Sequence, residues 1–222
     1  RGGLLHGVPG SAPHDGPVSI APSATAWVRT SRSRPDAERS VVLVAGPGLT
    51  GAQHEVDVLR RMHPGADVLG AGASRGAAVL EALGRAALAP LACHGTLRSD
   101  NPMFSSVELA DGPLTVHDLH SAGAAPRQLV LASCHSGADV AYAGDEVIGF
   151  VSAVLAQGTA GVVASIAAIP DVAAVDLMLE LHRGIRDGRT LAHALHAARS
   201  RIDRGTPEGY VNWCTFSAHG AA

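Results

Sequence analysis

The sequence predicts a single α/β domain, built on a mainly parallel sheet with helices on both faces. Three observations carry this reading. The chain has 222 residues, 46% of them hydrophobic and 17% charged, which supplies one sizeable core and excludes a disordered chain. Short, continuous apolar runs alternate with segments whose apolar residues recur at three and four positions. That alternation of buried strands and amphipathic helices is the pattern of a parallel sheet covered on both sides.

The elements follow in order. The first forty residues are rich in Gly, Pro and Ser, with short apolar pieces at Val18-Ser19-Ile20 and Ala26-Trp27-Val28, and 29–39 reads as a surface loop. Val41–Ala45 is a β-branched strand closed by Gly46-Pro47-Gly48. Glu55–Met62 has helical spacing, Asp67–Leu69 is a short strand, and Ser74 can cap a helix over Arg75–Leu83. Leu88–Cys93 is the next apolar run. Val107–Leu109, Asp111-Gly112 and Leu114-Thr115 form a small hairpin, followed by a short helix over Val116–Ser121. Leu129–Ser133 is a second strongly apolar run; then come a helix over Glu146–Ala156, a strand over Gly161–Ser165, and helices over Asp171–Arg186 and Thr190–Ile202. No internal repeat or low-complexity segment interrupts the series.

Composition excludes several function classes. A net charge of −3 and 3% aromatic residues leave neither a basic surface nor stacking rings for nucleic acid. Every basic residue is Arg, so lysine chemistry, from a phosphate-binding Walker loop to a Schiff base, is ruled out. Three cysteines imply no disulfide framework and point to a reducing, cytoplasmic setting. The chain opens Arg1-Gly2-Gly3 with no Met and no signal-peptide pattern, which predicts an N-terminally truncated piece of a longer protein. Val147 to Pro170 carries no charge, but Gln157-Gly158-Thr159 breaks it, so it reads as helix, turn and buried strand rather than as a membrane span.

Two strand ends hold the chemistry. Leu88–Cys93 is followed at once by His94-Gly95, and Leu129–Ser133 by Cys134-His135-Ser136-Gly137. If both runs are parallel strands of one sheet, their carboxyl ends share the edge where open α/β sheets place their sites. A Cys and a His facing each other there form a nucleophile and its proton partner. Gly95 permits close approach of a substrate, and its N–H with that of Cys134 could hold an oxyanion. The competing reading is a small buried Cys and a loop His.

The chain resembles the CHAT family of caspase-like peptidase domains. The resemblance rests on Leu4-Leu5-His6-Gly7-Val8-Pro9, Ala21-Pro22-Ser23-Ala24, Val41–Gly48, Ala92-Cys93-His94-Gly95 and Asn101-Pro102-Met103-Phe104-Ser105-Ser106. It continues through Leu114-Thr115-Val116-His117-Asp118-Leu119, Leu131-Ala132-Ser133-Cys134-His135-Ser136-Gly137, Gly144-Asp145-Glu146 and Trp213-x-x-Phe216. Gly10 stands where the family usually has Trp, Ser133 where Ala is commoner, and His135 where an acidic residue is frequent. The resemblance implies a three-layer α/β/α sandwich of caspase type and cysteine endopeptidase activity on a protein or peptide substrate. It implies His94 and Cys134 as the dyad and no cofactor. It further implies an upstream TPR or sensor region and an activating partner. The alternatives are a catalytically silent interaction module of the same fold and a dinucleotide-binding domain.

The remaining motifs have competing readings. Gly46-Pro47-Gly48-Leu49-Thr50-Gly51 is formally a dinucleotide-binding G-x-G-x-x-G, but Pro47 withdraws a donor and a tight strand-to-helix turn explains it as well. His193 with His196, and His117 with His120, lack further ligands at zinc spacing and read as surface histidines. Cys93 and Cys214 read as core thiols. Asp139, Asp145 and Glu146 are candidates for a pocket that pairs with a basic substrate residue; helix N-terminal charge is the competing reading of Asp145 and Glu146.

Overall fold

The computed structural model describes residues 15–32, 40–98, 100–132, 143–165 and 174–221, with the side chains of Thr50 and of 143–148 outside that description. Seven strands form the central sheet. They are β1 (Ser19–Ile20), β2 (Ser40–Ala45), β3 (Asp67–Leu69), β4 (Ala86–Ala92), β8 (Gln128–Leu131), β9 (Gly161–Ser165) and β10 (Phe216–Gly220), in the spatial order β1-β10-β9-β8-β4-β2-β3. Every pairing is parallel except β10 with β9. A second, antiparallel sheet holds β5 (Gly95–Thr96), β6 (Ser106–Leu109) and β7 (Gly112–Thr115).

Strand alternation divides the core into two layers. Val42 and Val44 of β2 face a cluster with Val79, Leu83 and Phe150, whereas Leu43 and Ala45 face Val56 and Leu59. The first layer holds α3 (Gly76–Gly84), α4 (Val116–Ala122), α5 (Ala143–Ala156) and the small sheet. The second holds α2 (Thr50–Met62), α6 (Val175–Arg186) and α7 (Leu191–Arg199). The expected α/β/α sandwich is therefore present.

Four expectations change. Residues 29–31 close a helix, α1 (Ala24–Ser31), where the sequence suggests a loop over 29–39, and 33–39 lie outside the described residues. Ser23 caps its start by accepting from the Ala26 N–H, and Arg29 Nη2 donates to Leu155 O in the last turn of α5. Ser74 does not cap α3. Its hydroxyl donates to Ala71 O, and the Gly76 N–H at the head of α3 donates instead to Asp111 Oδ1, 2.9 Å away in the β6–β7 turn. A helix over Pro207–Thr215 (α8) and strand β10 stand where the sequence shows no clear pattern. Cys214 is half-buried rather than in the core, and the Tyr210 hydroxyl bonds to it.

The uncharged stretch from Val147 is the C-terminal part of α5, a turn, and β9; among the described residues no helix is long and apolar enough to cross a membrane. The Thr115–Asp118 capping box starts α4 and left-handed Gly123 ends it, as the small polar residues there dictate.

Candidate active site

β4 and β8 are adjacent and parallel, with Leu91 opposite Leu131, and the Ala132 N–H donates to Leu91 O at 3.3 Å. The two carboxyl ends therefore share one edge, as the sequence predicts. Ala86–Ala92 forms a strand despite its small side chains because both faces are covered. At its end the chain leaves the large sheet through Cys93 and His94 and enters β5.

His94 is half-buried at this bend. Its carbonyl accepts from the Glu108 N–H at 2.8 Å, which ties the bend to β6. Nδ1 is removed from solvent and has no hydrogen-bond partner among the described residues. Nε2 lies on the other side, 3.7 Å from where a Cβ on Gly48 would sit. Gly48 has φ +76°, so the β2–α2 turn curls over the imidazole in a conformation that L side chains rarely adopt.

The same turn explains the Gly46-Pro47-Gly48 motif. A Cβ at Gly46 would stand 2.8 Å from Glu108 O and 3.0 Å from Cys93 Cβ. Glycine at 46 is thus a packing requirement, and the Gly46 N–H donates to Ala92 O at 2.8 Å. Close packing of this kind is the tight-turn reading of the motif.

Gly95 is buried and opposite Val107 in the β5–β6 ladder. The neighbouring bond runs from Glu108 N–H to His94 O, so Gly95 and Val107 form a non-hydrogen-bonded pair. The Gly95 N–H therefore points away from β6.

Cys93, beside this site, is inert. Burial pushes its thiol up to about 12; the Gly46 N–H opposes that rise and the nearby Glu55 carboxylate adds to it. Cys134, His135 and Asp139 lie outside the described residues. Asp145 and Glu146 stand in the first turn of α5, with side chains outside the description. His117, His120 and His193 are exposed and His196 is half-buried, and no group of three metal-binding side chains occurs among the described residues.

The comparisons with known proteins agree on one fold. The family model described as "CHAT domain" matches residues 12–221. The opening segment Leu4–Pro9 precedes the matched region. Gingipain R (RgpB), titled an Arg-specific cysteine proteinase, superposes with a TM-score of 0.59 at 12% identity, over 88% of this chain and 50% of its own. The complex of Porphyromonas gingivalis RgpB pro- and mature domains gives 0.63 at 11% identity, over 88% of this chain and 52% of that one. The Saccharomyces cerevisiae separase–securin complex gives 0.58 at 15% identity, over 91% and 13%. The chain thus spans about half the length of the gingipain structures and a small part of separase. The search of curated proteins finds no match. These likenesses show a caspase-like fold.

Proposed function

The chain belongs to the CHAT domain family, and on that premise we propose that it is a caspase-like cysteine endopeptidase with a Cys134–His94 dyad. The observation that supports this most is His94 Nδ1: a ring nitrogen withdrawn from water and without a hydrogen-bond partner among the described residues, at a strand end beside β8. A buried polar atom without a partner is costly, and functional sites are where that cost is tolerated. Ala132, bonded across to β4, leaves two residues of chain to Cys134, a reach of about 7 Å, and neighbouring strands run about 4.8 Å apart. A thiol there can meet Nδ1.

The reaction follows from these groups. His94 takes the Cys134 proton and the thiolate attacks the scissile carbonyl carbon. The Gly95 and Cys134 amides donate to the resulting oxyanion. The carbon–nitrogen bond breaks as His94 returns the proton to the leaving amine, and water then hydrolyses the thioester. No cofactor enters this scheme. Asp139, Asp145 and Glu146 would pair with a basic residue at the cleavage point. The setting is cytoplasmic, and an upstream TPR or sensor region with an activating partner would raise the population of the competent site.

The test is hydrolysis of a peptide library by the chain alone and by the full-length protein with candidate partners. Cys134→Ala and His94→Ala should each abolish turnover, the double variant being no worse than either, and a chelator should leave turnover intact. Turnover retained in Cys134→Ala would overturn the reading.

A further inference from the structure

A groove of about 780 Å³ opens between α6, the segment after α7, and α8. Its floor includes the half-buried Leu179 and Ile202. Four carboxylates line it, Asp176, Glu180, Asp203 and Glu208, against two guanidiniums, Arg183 and Arg201. Both guanidiniums are already engaged by Glu180, Arg201 Nη1 at 2.9 Å. That brace fastens α6 to the segment after α7 and neutralises Glu180. Asp176, Asp203 and Glu208 are exposed and make no ion pair among the described residues. The groove therefore holds a formal charge of −2, in a chain whose total is −3.

Asp176 and Glu208 stand in the first turns of α6 and α8, where the helix dipole favours ionised carboxylates. Dipoles explain each alone; they do not explain the convergence of both with Asp203 on one concave surface with an apolar floor. The groove's place in the fold supplies the reason. Asn212, on its wall, stands four residues before Phe216, about 6 Å of helical rise. Phe216 pairs with Ser165 at the carboxyl end of β9, the edge that also carries the carboxyl ends of β4 and β8. The groove opens near the edge on which His94 stands.

We propose that this groove docks a positively charged, partly apolar segment of the polypeptide substrate, at a distance from the scissile bond. Guanidinium or ammonium heads would meet the three unpaired carboxylates, and the aliphatic stems would cover Leu179 and Ile202. The proposal rests on the peptidase reading for the identity of its occupant, but not for the binding itself.

The experiment therefore separates the two. Cys134→Ala protein is titrated with a fluorescent hexapeptide of alternating Arg and Leu, and with one of alternating Glu and Leu, at low and high salt. The basic peptide should bind, the acidic one should not, and salt should weaken the complex. In a variant that also carries Asp176→Asn, Asp203→Asn and Glu208→Gln, binding should fall about tenfold, with the thermal midpoint held as the check on folding. The single Glu208→Gln variant should fall part of the way. Equal binding of both peptides, or undiminished binding to the neutralised variant, overturns the proposal. Substrates with and without a basic flanking segment are then turned over by the chain with Cys134 intact. A lower KM with unchanged kcat for the flanked substrate is the expected result, and equal KM values overturn the assignment to substrate. Absence of any hydrolysis counts against the peptidase reading alone.

Discussion

Among the described residues, one ring nitrogen of His94 and both of His182 lack a hydrogen-bond partner, yet the two rings have different surroundings. His182 lies wholly inside the second helical layer, on α6, with the His63 ring edge-on at 6.1 Å. Neither of its nitrogens has a partner among the described residues, nor does His63 Nε2. Burial pushes the His182 imidazole down to about 3, with His63 adding to the effect; burial and Arg186 lower His63 as well. His94 is half-buried, with one nitrogen hidden and the other beside a glycine that leaves it room. Both carry an unmet hydrogen bond. His94 stands instead at the bend that follows β4, next to the carboxyl end of β8. An orphaned imidazole marks a site when its position gives access, and a stability cost when it does not.

The sharpest way to break this contrast is to exchange the two losses. His94→Ala should abolish measurable peptide turnover, a loss at least as large as the roughly 10²- to 10⁴-fold share of a general acid–base, and change stability by less than about 1 kcal/mol. His182→Leu should keep turnover and raise the urea midpoint, because it removes two unpartnered polar atoms worth about 1–3 kcal/mol each and fills the space with a side chain of similar size. If His182→Leu silences the protein, the α2–α6 interface belongs to the mechanism and the contrast fails.

Acid sharpens it next. Because the folded state holds His182 neutral, its contribution is complete above the unfolded value of 6.5 and is lost as pH falls, the unfolded chain taking a proton that the fold refuses. Stability should drop by up to about 1.4 kcal/mol per pH unit below pH 6.5, and His63 acts in the same direction. Urea midpoints at pH 7.5 and 5 should converge in His182→Leu; an undiminished slope in that variant would assign the acid lability to other groups.

Thiol labelling extends the comparison to the neighbouring cysteine. Under limiting iodoacetamide Cys134 should react first and Cys93 last, since a buried thiol raised to about 12 carries almost no thiolate at neutral pH. Peptide mapping decides the order. The smallest effect is expected from Asp111→Ala, which removes the acceptor at the head of α3. It should cost about 1 kcal/mol and leave turnover intact. A parallel fall in turnover would show that the β6–β7 hairpin, bonded to His94 through Glu108, positions the imidazole.

Much of this architecture was legible in the chain, for a physical reason. The strands Asp67–Leu69 and Gly161–Ser165 have the predicted bounds because Val68-Leu69 and Val162-Val163-Ala164 are short apolar runs set between turn signals. His94 was legible from its place after an apolar run. β10 was not, since Phe216–Gly220 buries Ser217 and His219, whose polar atoms satisfy each other at 2.7 Å. A strand whose polarity is met internally carries no hydropathy signal. The cap on α3 was not legible either, because its acceptor stands 35 residues away. The acidic groove collects residues from two separated stretches, 176–183 and 201–212, so no local pattern announces it.

β1 consists of two residues, Ser19 and Ile20, paired with Ala218 and His219, and the Ser19 hydroxyl donates to Gly220 O across 201 positions. Closing so long a loop carries a large entropic cost that two paired residues recover only after β10 is already docked on β9. β1 is thus held to the sheet by a short pairing of two residues. When it opens, β10 presents an unguarded row of amides and carbonyls, a template for another extended chain. Two residues of β1 thus guard part of the β10 edge against pairing with another extended chain.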